Sequence, residues 1–368
     1  MAKKVYIGAD DVARKVKKGY IGVDGIARKI KKAYIGIGGV ARPCWSGEGK
    51  LEYYGTVTPL SAGRGELAAT SIGKYALFGG GAGSAVVDAY DPSFTRITLE
   101  ELLDVSDDLA ATSVGEYALF GGGSSDTITR NAHVNAYDKS LTKTMATDLS
   151  VAREGLAATT VGGYALFAGG RDKDTERTTV DAYDKSLTRT TPTALLSSRY
   201  HLAATTVGDY ALFAGGYDQG DLLKIVEAYD KSLTRTTRTS LSENRNFLAA
   251  THVGDYALFC GGNRGSGVTN NADAYDKSLT RSYAKELSTT RAKLSATTVG
   301  GYAFFAGGNG YSGEYYAVVD VYDEQLTRTT QTPLSKARNS LAGTSIGDYA
   351  IFAGGFGGTT AVDVYMIT

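Results

Sequence analysis

The chain has 368 residues, of which 47 are glycine and five proline, and 42% are hydrophobic. That length allows two or three ordinary domains or one large ring, and the composition excludes a low-complexity linker and suffices for a substantial core; with only two cysteines, Cys44 and Cys260, no disulfide framework is implied. The formal net charge is zero but uneven: residues 1–45 hold eleven Lys or Arg against three Asp, an asymmetry that suggests a basic arm meeting an acidic partner.

At the front, three copies of a fourteen-residue unit follow one another: Lys4–Lys17, Lys18–Lys31 and Lys32–Trp45. Each reads Tyr-Ile-Gly, a two-residue turn, then a Val/Ile-Ala-Arg strand. The turns are Asp10-Asp11, Asp24-Gly25 and Gly38-Gly39, of which the last two suit type I′ hairpins. Small hairpins bury little alone, so residues 1–45 need a neighbour: another copy of the chain, giving a homo-oligomer, or a larger assembly. Arg14, Arg28, Arg42 and Trp45 are the candidate attachment residues. No aromatic stacking platform accompanies the basic side chains, so nucleic acid is not the expected partner. The first residues lack the apolar stretch of a secretory signal, and no run of eighteen apolar residues occurs. Synthesis in a cytoplasm without secretion, and no membrane span, are therefore expected. Ser46–Lys50 reads as a flexible joint.

From Tyr75 onward a second repeat takes over. The string Tyr-Ala-Leu-Phe and its close variants begin at Tyr75, Tyr117, Tyr164, Tyr210, Tyr256, Tyr302 and Tyr349, at spacings of 42, 47, 46, 46, 46 and 47 residues. That period is one four-stranded propeller blade. The strands of one copy read Leu156–Val161, small and suited to a crowded axis; Tyr164–Ala168, apolar on both faces; Val180–Tyr183; and Leu187–Thr191, whose Thr and Arg suit an outer edge. A Gly-Asp pair such as Gly208-Asp209 marks the first hairpin. The seventh copy stops at Val362–Tyr365 without its fourth strand, and Leu51–Pro59 at the front supplies the missing piece and closes the ring. The expected fold is all-β: a seven-bladed β-propeller over residues 51–368, after the hairpin repeat of 1–45 and the joint of 46–50.

The propeller repeat resembles kelch repeats. The resemblance rests on the double glycines (79–80, 121–122, 169–170, 215–216, 261–262, 307–308 and 354–355) and on the third-strand tyrosines, Tyr90, Tyr137, Tyr183, Tyr229, Tyr275, Tyr322 and Tyr365. Where kelch units usually carry tryptophan near the fourth strand, leucine stands here (Leu141, Leu187, Leu233, Leu279 and Leu326). The front segment, Tyr20-Ile21-Gly22-Val23-Asp24-Gly25-Ile26-Ala27-Arg28-Lys29, resembles short hairpin repeats in structural proteins of prophages of Gram-positive bacteria. That resemblance implies attachment to a phage particle.

A binding site is expected on one rim. The Gly-Asp and Asp-Lys-Ser turns are short and alike in every blade, whereas the connections on the opposite rim vary. Loops after the double glycine carry Arg171, Tyr217, Tyr311 and Tyr315. In the connection from fourth to first strand, an arginine stands three residues before the first-strand leucine in six blades (Arg64, Arg153, Arg199, Arg245, Arg291 and Arg338), with Ser106 in the second. The next two positions differ in every blade and include Tyr200, His201, Asn246 and Phe247. The kelch resemblance implies that these arginines lie near the channel mouth, where some members bind peptides or sugars. Arg153, Arg199, Arg245 and Arg291 are thus candidates to grip an acidic glycan or peptide through their planar forks. The alternative is that they brace the blades.

Little in the sequence points to chemistry. The three histidines, His133, His201 and His252, show no metal-ligand spacing, and neither cysteine has an evident base. The Asp of the third strand and its turn, as at Asp181 and Asp184, recurs in nearly every blade and reads as scaffold. No cofactor or metal is implied, and a copper radical oxidase of kelch-like fold would need histidine ligands that cannot be placed here. The expected function is non-enzymatic binding by a phage-tail or virion-surface protein. Its propeller would recognise a bacterial surface glycan or protein, and its hairpins would hold other virion proteins. Two alternatives stand beside this: an intracellular kelch-type interaction scaffold, and a sugar-converting, mutarotase-like enzyme using Glu154, Arg199 and His201.

Overall fold

The computed structural model describes the backbone of residues 6–9, 12–15, 20–23, 26–29, 32–37, 40–46 and 50–367, with side chains from residue 50 on. The chain divides into two units, residues 1–51 with residue 368, and residues 52–367.

The first unit contains three antiparallel hairpins: Tyr6–Ala9 with Val12–Lys15, Tyr20–Val23 with Ile26–Lys29, and Lys32–Ile37 with Val40–Ser46. The fourteen-residue period sets one common register. Arg14, Arg28 and Arg42 stand opposite Ile7, Ile21 and Ile35, and Trp45 stands opposite Ala33 beyond a bulge. The three expected turn pairs, and residues 47–49 of the joint, lie outside the described residues. Ser46 belongs to the last of these strands.

The second unit is a seven-bladed β-propeller, seven four-stranded antiparallel sheets in a ring. Blade 3 is representative, with strands Ala157–Val161, Tyr164–Ala168, Val180–Tyr183 and Arg189–Thr190. First strands of neighbouring blades touch all the way round, blade 7 against blade 1 included. Blade 7 takes its fourth strand from Leu51–Thr56, beside Val362–Ile367. The Val57 N–H then donates to Val362 O at 3.0 Å, so the ring is closed as the sequence predicts.

Packing follows the repeat. The second strand is buried on both faces because each blade lies between two others, with Ala165, Leu166, Phe167 and Ala168 fully covered. Each third-strand tyrosine is fully buried and meets the second-strand phenylalanine edge to face, as in Phe167–Tyr183 at 5.9 Å. In every blade but the first its hydroxyl donates to a carbonyl in the connection leading into its own blade, as in Tyr183 to Thr147 O at 2.8 Å; the buried Tyr90 hydroxyl has no hydrogen-bond partner among the described residues.

Two details differ from the sequence reading. The outer strand begins at Arg189, not Leu187, because Leu187 is left-handed (φ 62°). Asp184 Oδ1 accepts the N–H groups of Ser186 and Thr188, an Asx turn that swings the chain round. Leu187 thereby packs onto the core between blades. Secondly, in the first two blades the left-handed glycine pairs are Gly80-Gly81 and Gly122-Gly123, one residue later than expected, while Gly79 and Gly121 end the second strands. Both glycines of a pair are required. A Cβ on Gly169 would lie 2.6 Å from Arg199 O, and one on Gly170 would lie 2.8 Å from Glu154 O.

Candidate functional site

The six repeated arginines do not face a ligand. Arg153, Arg199, Arg245 and Arg291 are wholly buried, as is Arg338, and Arg64 is 1% exposed. Each meets a buried third-strand acid of its own blade: Asp181 for Arg153 at 2.9 Å, Glu227 for Arg199 at 2.7 Å, Asp273 for Arg245 at 2.7 Å and Asp320 for Arg291 at 2.9 Å. A second N–H donates to the second-strand phenylalanine carbonyl, as in Arg153 to Phe167 O at 3.2 Å. The arginine carbonyl in turn accepts from the second glycine of the preceding blade, as in Gly170 to Arg199 O at 2.8 Å. The expected ligand grip by Arg153, Arg199, Arg245 and Arg291 is therefore replaced by bracing: a guanidinium shut off from water needs its carboxylate and cannot also hold a ligand. Blade 2 corroborates this, since Ser106 replaces the arginine and Asn135 the acid.

Beyond each arginine the two variable residues diverge in role. The first of them bridges to the residue after the double glycine, giving Asp107–Ser124, Glu154–Arg171, Tyr200–Tyr217, Asn246–Asn263 and Ala292–Asn309. Both irregular connections thus lie on one rim. On the other rim the uniform turns pair with each other, as in Lys231 and Asp209 at 2.6 Å. Asn246 is only 5% exposed and belongs to this bridging layer, so it offers a ligand little surface.

The second variable residue faces the axis. Glu66, Asp108, Gly155, His201, Phe247, Lys293 and Ser340 all adopt left-handed backbone, with φ between 49° and 63°. For all but Asp108 the N–H donates to the carbonyl of its neighbour on the preceding blade, as in His201 to Gly155 O at 2.8 Å and Phe247 to His201 O at 3.1 Å. This belt, set on the first-strand leucines, lines a cavity of about 190 Å³ at the channel mouth. Below it the channel widens to about 510 Å³ among first-strand Ala and Thr side chains, with His252.

Side chains of the mouth join across the small members. His201 Nε2 lies 3.1 Å from Asp108 Oδ2 over Gly155, and Lys293 Nζ lies 4.0 Å from Glu66 Oε1 over Ser340. Between them runs a stack: Arg171 over Tyr200 at 4.9 Å, Tyr200 against His201 at 4.3 Å, His201 against Phe247 at 4.0 Å, and Lys293 over Phe247 at 4.6 Å. Glu154 holds Arg171 at 3.1 Å. Burial, then the charge of Asp108, raises the Glu66 carboxyl to about 7, with Lys293 opposing. For Asp108 burial works upward as well, but the hydrogen bond and charge of His201, with Lys293 and Arg171, hold it below its ordinary value.

Of the residues expected at a site, His201 and Phe247 line the mouth, and Tyr200, Tyr217 and Arg171 form its shoulder. Tyr311 (71% exposed) and Tyr315 stand out on the blade 6 loop and do not line the mouth. Sequence reasoning marks the column of Glu66, Asp108, Lys293 and Ser340 as variable but does not single these residues out. Among the described residues no group of acids, histidines and cysteines is arranged to hold a metal, and no helix is long and apolar enough to cross a membrane.

No protein-family model and no curated protein matches the chain. The chain is similar in fold to the solved structure of YjhT, with a TM-score of 0.62 and 13% identity over 75% of this chain and 99% of that one. At that identity the likeness shows the seven-bladed fold alone.

Proposed function

We propose that the chain is a non-enzymatic, kelch-like binding protein of a phage tail or virion surface, whose irregular rim recognises a glycan or protein on a bacterial cell. One observation carries the binding half of this reading: seven equivalent axial positions, in a ring otherwise built from near-copies, hold seven different residues drawn together at one mouth. A fold that needed only rigidity would repeat there as it does in its arginines. The basic hairpins, with Arg14, Arg28, Arg42 and Trp45 at matched places, serve as the attachment arm to other virion proteins. The phage setting rests on the resemblance of that front segment. Weak single-site affinity suffices if several copies act together.

The test has two parts. Purified protein is applied to bacterial cells and to a glycan array, and chain lacking residues 1–50 is compared with full-length chain for incorporation into particles. Binding to a surface component, with incorporation lost on truncation, is the expected result. Capture of cytosolic proteins without surface binding favours an intracellular scaffold instead.

A further inference from the structure

Building on the reading that this rim binds a surface ligand, we propose that the channel mouth is an anchoring subsite for an amine-bearing terminal group, admitted along the ring axis.

Size and shape limit the occupant. A cavity of about 190 Å³ falls below the usual range for drug-sized ligands, roughly 300–1,000 Å³, and suits one small group such as a single sugar ring. Six of the seven steps around it are backbone hydrogen bonds, among them Gly155 to Asp108 O at 2.9 Å, Lys293 to Phe247 O at 3.0 Å and Glu66 to Ser340 O at 2.9 Å; the step from Asp108 to Glu66 is not. A mouth tied by backbone at six of its seven steps is narrow from the side and suits the end of a chain entering along the axis.

Chemistry limits the occupant further. Aromatic stacking is already used up: Phe247 lies between His201 and Lys293, and Tyr200 between His201 and Arg171. The cations are engaged as well, Lys293 by Glu66 and Arg171 by Glu154. What remains is acceptor capacity. Each carboxylate has two oxygens and about four lone-pair sites, and Asp108 gives one contact to His201 and Glu66 one to Lys293. Directly behind the mouth, Asn246 (5% exposed) and Asn339 (6% exposed) each keep a buried carbonyl oxygen without a partner. Surplus acceptors behind a half-buried mouth call for a donor, and surplus carboxylate calls for a cation. The negative charges of Asp108, Asp107 and Glu154, which add to burial in raising Glu66 while Lys293 opposes them, also favour an ammonium group.

The experiment uses the full-length protein and three sugars that differ only at C6: 6-amino-6-deoxyglucose, glucose and glucuronic acid. Affinities are measured by calorimetry or ligand-observed NMR at pH 8. The amino sugar should bind at least about tenfold more tightly than glucose, with glucuronic acid weakest. Glu66→Gln should lose about tenfold for the amino sugar, and Lys293→Met, which removes the competing internal cation, should gain. Binding of the amino sugar by the parent should weaken from pH 8 to pH 6 as Glu66 takes up its proton, and Glu66→Gln should flatten that profile. Equal binding of the three, preference for the acid, or binding of none overturns the subsite. If the amino sugar binds but cells are not recognised, the subsite stands and the surface-recognition reading falls. If cells are recognised and the amino sugar is ignored, only the subsite falls.

Discussion

Arg199 and Glu227 meet at 2.7 Å with both side chains wholly shut off from solvent. The pair fixes the connection entering blade 4 onto that blade's own third strand, and Arg235 reaches Glu227 from the outer strand at 3.1 Å. Removing one partner of a buried pair leaves an uncompensated charge, which costs about 3–5 kcal/mol. Arg199→Ser should sit near the low end of that range, because Arg235 still faces Glu227. The double variant R199S/E227N reproduces the neutral Ser106 and Asn135 of blade 2, and should be more stable than R199S alone. Denaturant unfolding of the three proteins checks this.

Ring closure makes a separate claim. Tyr53 Oη donates to Asp363 Oδ1 at 2.6 Å, at the place where other blades supply an outer-strand arginine. Burial, then its bond to Asp363, raises the Tyr53 hydroxyl, so it stays protonated and a donor. Tyr53→Phe should cost about 0.5–1.5 kcal/mol. Removal of residues 1–50 should leave the propeller's melting transition nearly in place. Removal of residues 1–56 exposes the Val362–Ile367 edge and should lower the transition and promote association, seen by calorimetry and size-exclusion chromatography.

Gly170 tests the double-glycine argument. Its φ of 97° and the 2.8 Å that would separate an added Cβ from Glu154 O leave no room for a side chain. Gly170→Ala should destabilise by about 1–3 kcal/mol and loosen the Glu154–Arg171 bridge. Gly220 has φ 105° and open space around it, so Gly220→Ala incurs backbone strain alone and should destabilise less. Thermal unfolding of both variants separates the two contributions.

Glu66 ties stability to pH. Its carboxyl is raised in the folded protein to about 7 by burial and then by Asp108. The folded state therefore holds this proton more tightly than the unfolded chain, whose carboxyl titrates near its ordinary value. The resulting stability is fully present below that ordinary value, is lost as pH rises toward about 7, and stays lost above it. Glu66→Gln should remove this dependence and stabilise the protein at pH 8 by about 1–3 kcal/mol. Melting temperatures of both proteins from pH 4 to pH 8 check the sign.

Much of this is legible in the chain itself. The Tyr-Ala-Leu-Phe period counts the blades, and the missing fourth strand after Tyr365 points to Leu51–Thr56 as the clasp. The arginine brace is readable too, from paired columns: blade 2 loses Arg and Asp together, at Ser106 and Asn135. The mouth is only half legible. Two adjacent variable columns are visible, but a left-handed residue turns the chain so that the first column bridges outward and the second faces the axis. Nor can spacing reveal that Asp108 meets His201, 93 residues away, over a glycine that happens to be small.

Binding to bacterial cells by rim-specific variants tests the central claim most directly. His201→Ala and Phe247→Ala alter the channel mouth on the irregular rim; Asp209→Ala and Lys231→Ala break an exposed pair on the uniform rim. Surface binding should fall at least about tenfold for the mouth variants and stay at the parent level for the uniform-rim variants. Unchanged binding by the mouth variants, or loss confined to the uniform rim, would contradict it.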